Sequence, residues 1–137
     1  MLPAERPARA AAARRKRVPV APVVPGAAIL AATVTALNPQ ARFGADVMSR
    51  VQHALMEEGH RVQRDIVRAE LERMILRALR HAGISRQRLA RVVIVGNTVM
   101  HHLVVGYAVA ALAEAPFESP QREAVTCAPE AFSGSSR

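Results

Sequence analysis

Arg91-Val92-Val93-Ile94-Val95, followed at once by Gly96-Asn97-Thr98, is the stretch that decides how the rest of the chain is arranged. Four consecutive β-branched residues with no polar residue alternating among them have the pattern of a strand buried on both faces, as in parallel sheets covered by helices. The tripeptide then marks the strand end: Gly permits a close turn, and Asn and Thr are good caps for a following helix.

On the N-terminal side, Val67, Leu71, Met74, Ile75 and Ala78 recur at helical spacing and predict a helix over 62–82. Gly83 stands where a left-handed terminal residue belongs, and Asp65 to Arg68 and Glu70 to Arg73 fall three apart on the wetter side. Ser85 to Leu89 makes a short step between this helix and the Val-rich run. Further back, Val47, Val51, Ala54 and Leu55 form the apolar stripe of a helix over 45–58, with Asp46 in its first turn and Gly59 as terminator. Ahead of it, 27–36 reads as a strand that Asn38-Pro39 stops. Beyond the run, 98–106 starts a helix ending near Gly106, and the chain is irregular from Pro116. Strand, helix, helix, strand, helix is the order of an α/β layer with a parallel sheet.

Charge separates the ends of the chain. The whole sequence carries a formal +8, but residues 1–17 hold six basic groups against Glu5. Residues 1–25 are Ala, Arg and Pro without periodicity, a disordered basic leader in which the excess charge is a tail property. Nucleic acid is therefore disfavoured as a partner of the folded part. As an alternative function, residues 1–17 give a small basic interaction module for nucleic acid or an acidic partner. The single Cys127 excludes an internal disulfide and an iron–sulfur cluster, and points to a reducing, cytoplasmic setting. Pro22 and Pro25 interrupt the most apolar stretch, 18–37, so no membrane span is expected.

Chemistry concentrates in two loops. Gly96, Asn97 and Thr98 lie at the carboxyl end of the predicted buried strand, where open α/β sheets bind ligands; turn and cap is the simpler reading of the same residues. Asn38-Pro39-Gln40-Ala41-Arg42-Phe43-Gly44-Ala45-Asp46 again joins a strand to a helix and gathers Asn38, Gln40, Arg42 and Asp46. His101 and His102 are adjacent and diverge on a helix, so no metal site is read there. No Walker-type phosphate loop or dinucleotide glycine fingerprint occurs.

Three blocks carry a family resemblance: Ala36-Leu37-Asn38-Pro39-Gln40-Ala41-Arg42-Phe43-Gly44-Ala45-Asp46-Val47-Met48-Ser49-Arg50-Val51, then Val93-Ile94-Val95-Gly96-Asn97-Thr98-Val99-Met100-His101-His102-Leu103, then Ala115-Pro116-Phe117. In this order and spacing, over about residues 26–118, they closely resemble the C-terminal ATPase domain of reductive activators of corrinoid proteins, within the ASKHA superfamily of actin, heat-shock ATPases and sugar kinases. The resemblance implies a partial ribonuclease-H-like α/β lobe with a parallel sheet element and two to three helices. It also implies ATP with Mg as cofactor, a corrinoid protein as partner, and ATP-driven electron transfer onto cob(II)alamin. Asn38, Gln40, Arg42, Asp46, Gly96, Asn97 and Thr98 would line or brace one side of the interlobe cleft.

The family pattern also has an Asp-x-Gly-Thr-Thr hairpin, a second lobe and a cysteine-rich electron-carrying module, none of which this sequence contains. The expectation is a leader (1–25), a partial lobe (26–118) and an irregular tail (119–137), forming a truncated or divergent relative that is inactive alone. Strand edges left open in such a lobe would favour self-association.

Overall fold

The computed structural model describes residues 17–20, 30–121 and 123–128. Strands β1 (Arg17–Val20) and β2 (Val34–Leu37) pair antiparallel, with Arg17 opposite Leu37 and Val20 opposite Val34. The leader read as disordered through residue 25 thus contains a strand; its other residues lie outside the described ones. The strand read over 27–36 starts only at Val34, where Thr33, Val34 and Thr35 concentrate β-branched side chains after the alanine-rich stretch. Residues 27–29 lie outside the described ones, and 30–33 pair with no described residue. Among the described residues the sheet is two-stranded and antiparallel rather than parallel.

Helix α1 (Val47–Ala54) is shorter than the 45–58 expected. Asp46 takes the cap position, its carboxylate accepting from the Ser49 amide at 2.9 Å, so the helix begins at Val47, two residues later. Gly59 does not terminate α1. It opens α2 (Gly59–Ala82), three residues earlier than the stripe indicates. The break falls at 55–58, where Glu58 adopts a left-handed φ of 62°, and Gly59 is needed for clearance: a Cβ there would lie 2.0 Å from the His53 carbonyl oxygen.

The other punctuation holds. Gly83, with φ 66°, ends α2, and Ile84 N–H donates to the Leu79 carbonyl at 2.9 Å. A short 3-10 turn at Arg86–Arg88 follows. Asn97 caps α3 (Thr98–Val105) by accepting from the Met100 amide at 2.9 Å, and Gly106, with φ 102°, ends it.

Three apolar clusters hold the elements together. Val67 and Leu71 of α2 pack on Val104 of α3; Met74 and Ala78, further along α2, pack on Val34 of β2. Val51 and Ala54 of α1 meet Val99 and Leu103 of α3, with Val109 and Leu112 from the following segment. The predicted stripe of α2 is therefore its buried face, with each fully buried aliphatic side chain contributing roughly 1.5–3 kcal/mol.

One pairing differs from the sequence reading. Asp65 binds Arg64 at 3.0 Å and Arg61 at 3.8 Å, not Arg68. Arg68 instead turns to α3 and donates to the carbonyls of Val104 at 2.7 Å and Val105 at 2.8 Å. Those carbonyls belong to a helix C-terminus, which attracts a cation.

The Val92–Val95 run departs most from expectation. It belongs to no strand, and residues 91–96 make no backbone hydrogen bond to another described residue. Val93 is 76% and Val95 91% exposed, against 44% for Val92 and 42% for Ile94. Exposure alternates along the run: Val92 and Ile94 are partly covered, and Val93 and Val95 face solvent. A continuous β-branched sequence reports suitability for double-sided burial, while burial itself requires a partner on each face.

Candidate functional site: two polar loops

Asn38 starts a 3-10 turn at Pro39–Phe43 by accepting from the Gln40 amide at 2.9 Å. That turn drives the Gln40 side chain inward until it is fully buried. Its amide nitrogen donates to the Gln63 carbonyl at 3.3 Å, anchoring the loop to α2. Gln63, also fully buried, donates from Nε2 to the Arg50 carbonyl at 2.8 Å and lies 3.1 Å from His53 Nδ1. One glutamine pair therefore ties the loop, α1 and α2 into a unit. The Oε1 atoms of both glutamines have no hydrogen-bond partner among the described residues.

On the outside of this loop, the Arg42 guanidinium sits 4.7 Å over the Phe43 ring, which in turn packs on the His53 ring at 4.3 Å. Arg42 is exposed and forms no ion pair among the described residues. Asp46 is exposed too, but its carboxylate is committed to Ser49, the hydroxyl at 2.6 Å and the amide at 2.9 Å. The Ser49 hydroxyl, and after it the Ser49 amide, holds the Asp46 carboxyl below the ordinary carboxylate value.

The second loop is open. Gly96, Asn97 and Thr98 are all exposed. The Asn97 side chain is spent on the cap, leaving the Thr98 and Val99 amides at the start of α3 without an acceptor among the described residues. Two free amides and a threonine hydroxyl at a helix N-terminus suit an anionic oxygen.

The sequence-predicted residues thus divide into two roles. Arg42, Gly96 and Thr98 present accessible groups; Gln40 is interior bracing, and Asn38, Asp46 and Asn97 are caps. No hydrogen bond or ion pair joins the two loops among the described residues; they are connected through α1 and α3, which pack on each other.

Sequence reasoning missed two other structural contacts. The fully buried His102 has Nδ1 2.7 Å from the Ala108 carbonyl oxygen, which can only accept, so Nδ1 carries a proton. Its Nε2 faces the Ser119 hydroxyl at 2.7 Å. His60 Nε2 lies 2.8 Å from the Tyr107 carbonyl and joins α2 to the segment after α3. His102 is signalled by its place beside Leu103 on the buried face of α3; nothing near Ser119 signals its role. Among the described residues no helix is long and apolar enough to cross a membrane.

In comparisons with known proteins, a family model described as the RACo middle region matches residues 26–133. It covers both loops and continues past Phe117, where the sequence resemblance faded. No curated protein and no solved structure gives a match.

Proposed function

The chain belongs to the RACo middle region family and is a relative of the reductive activators of corrinoid proteins; from that premise we propose that it serves ATP-dependent activation of a corrinoid protein, with loop 96–98 on the wall of a nucleotide cleft. The match across 26–133, which spans both polar loops, carries the reading. The free groups fit the phosphate end of ATP: the Thr98 and Val99 amides and the Thr98 hydroxyl would donate to phosphate oxygens, and Arg42 would supply a cation to phosphate or to the corrinoid partner. When bound, ATP with Mg supplies the free energy for moving an electron onto cob(II)alamin. Gln40 and Gln63 hold the first loop rigid, while Asp46 fixes the start of α1.

The finer reading places these elements in an actin-like, ribonuclease-H-like lobe that works with a companion lobe. It is supported by the succession of apolar run, polar loop and helix at 92–105.

Titrating the isotopically labelled chain with Mg-ATP tests the proposal. Amide shifts at Gly96, Asn97, Thr98 and Val99 are expected, with weaker binding after Arg42→Ala. Saturating Mg-ATP that leaves 96–99 unmoved would sink it.

A further inference from the structure

We propose that the outer face of the second half of α2, with the turn that follows it, docks an acidic segment of a partner protein through Arg77, Arg80 and Arg88. From Arg73 to Ala113 the sequence contains no Asp or Glu, while Arg73, Arg77, Arg80, Arg86, Arg88 and Arg91 all fall within 73–91. Arg73, Arg77 and Arg80 recur at i, i+4 and i+7, so they form one stripe about 10 Å long. All three are exposed. The chain then doubles back: Ile84 N–H donates to the Leu79 carbonyl at 2.9 Å, and Arg86 reaches Glu72 at 3.5 Å. That ion pair brings the Arg86–Arg88 turn alongside α2 and adds the exposed Arg88 to the stripe.

Ion pairing sorts these cations. Arg73 is matched by Glu70 at 3.2 Å and Arg86 by Glu72, whereas Arg77, Arg80 and Arg88 have no ion pair or side-chain hydrogen bond among the described residues. Like charges three or four apart on a helix repel, so the stripe opposes the helix it sits on until carboxylates cover it. Guanidinium groups hold carboxylates in a two-point fork, which gives such a contact direction as well as attraction.

The occupant follows from what lies next to the stripe. Residues 57–72 carry five carboxylates against three arginines. A nucleic-acid duplex or an anionic bilayer is charged over a far longer span than the stripe and would also meet this acidic half; a short acidic segment would not. A second copy of this chain is a poor match, because the carboxylates of α2 are already taken: Asp65 by Arg61 and Arg64, Glu70 by Arg73, and Glu72 by Arg86.

The test uses the full chain without nucleotide, so its outcome is independent of the reading of loop 96–98. The probe is the blocked peptide Glu-Ala-Ala-Ala-Glu-Ala-Ala-Glu, which repeats the spacing of the stripe, and the control is the same peptide with Gln for Glu. Backbone amide shifts at 73–88, followed by NMR at low salt, give the affinity. The Glu peptide should move these amides and the Gln peptide should not. Changing Arg77, Arg80 and Arg88 together to Gln should weaken binding by about tenfold or more. Arg9→Gln with Arg14→Gln and Arg15→Gln removes the same three charges from the +8 total and should weaken it by less than about twofold. The three stripe arginines hold no other described group, so circular dichroism of that variant should match the parent. Amides at 73–88 that stay still, an equal response to the two peptides, or equal weakening in the two triple variants would each overturn the proposal. So would a stripe that prefers a DNA duplex or anionic vesicles at matched charge concentration, or a doubled mass in light scattering that the stripe variant loses, because the occupant would then be of another kind.

Discussion

Gln63 reaches from α2 to the middle of α1, its amide nitrogen 2.8 Å from the Arg50 carbonyl oxygen, and it does so from a fully buried position. Gln40 is equally buried, but its one side-chain bond to Gln63 is longer, at 3.3 Å. Replacing Gln63 by Leu strands the Arg50 carbonyl and removes a contact to His53, which should cost about 1–3 kcal/mol. Both replacements remove a buried acceptor that has no partner among the described residues, but Gln40→Leu gives up only one longer bond, so it should cost less than about 1 kcal/mol. Chemical denaturation of the two variants checks the order; equal losses would contradict the assignment of Gln63 as the hub.

Asp46 makes the fold acid-sensitive in a defined direction. Its carboxyl titrates below the ordinary carboxylate value in the folded chain, because the Ser49 hydroxyl and amide favour the charged form. The associated stability is present above the ordinary carboxylate pKa and is lost as pH falls through the lowered folded-state value. Asp46→Asn keeps a good N-cap but has no proton to gain, so its unfolding midpoint should vary less with pH between neutral and strongly acidic conditions than that of the parent.

Three glycines should respond differently to alanine. Gly59→Ala drives a Cβ to 2.0 Å from the His53 carbonyl oxygen, and Gly44→Ala drives one to 2.4 Å from Ser49 Cβ at a φ of 152°. Both should lose stability at the upper end of about 1–3 kcal/mol. Gly83 has open space around it and only its left-handed φ to protect, so Gly83→Ala should cost about 1 kcal/mol. Thermal unfolding of the three variants gives the ranking.

Arg68 is a clasp for α3, a helix of eight residues that would be marginal alone. Arg68→Met keeps the stem and removes the donors to Val104 and Val105, with an expected loss of about 1.5–3 kcal/mol. Amide exchange should quicken selectively in α3. Uniform quickening across all helices would argue for a general packing role instead.

What was legible in the sequence was what the local chain determines. The stripe of α2, the ends at Gly83 and Gly106, and the cap at Asn97 depend on neighbours within a few positions, and they stand where the pattern puts them. What failed depends on distant partners. Val92–Val95 has the composition of a buried strand, but composition cannot supply the strand beside it. Gln40 read as a site residue because it is polar, yet its depth is set by Gln63, 23 positions away. Gly59 reads as a helix end because Gly often ends helices; its real constraint is the clearance to the His53 carbonyl, visible only once α1 and α2 are packed together. Arg68 sat at ion-pair spacing from Asp65, and the carbonyls of α3 outbid that pairing.

The hydrogen bond between His102 and Ser119 sets a lower limit on how much chain this unit needs. Ser119 also accepts from the Gln121 amide at 3.0 Å, so the histidine secures a small knot of backbone well beyond the last helix. A shortened version stopping at Phe117 would leave an imidazole nitrogen in the interior facing nothing, and one extending past Gln121 would not. The natural boundary of the unit therefore lies beyond the point where recognisable helices and loops run out.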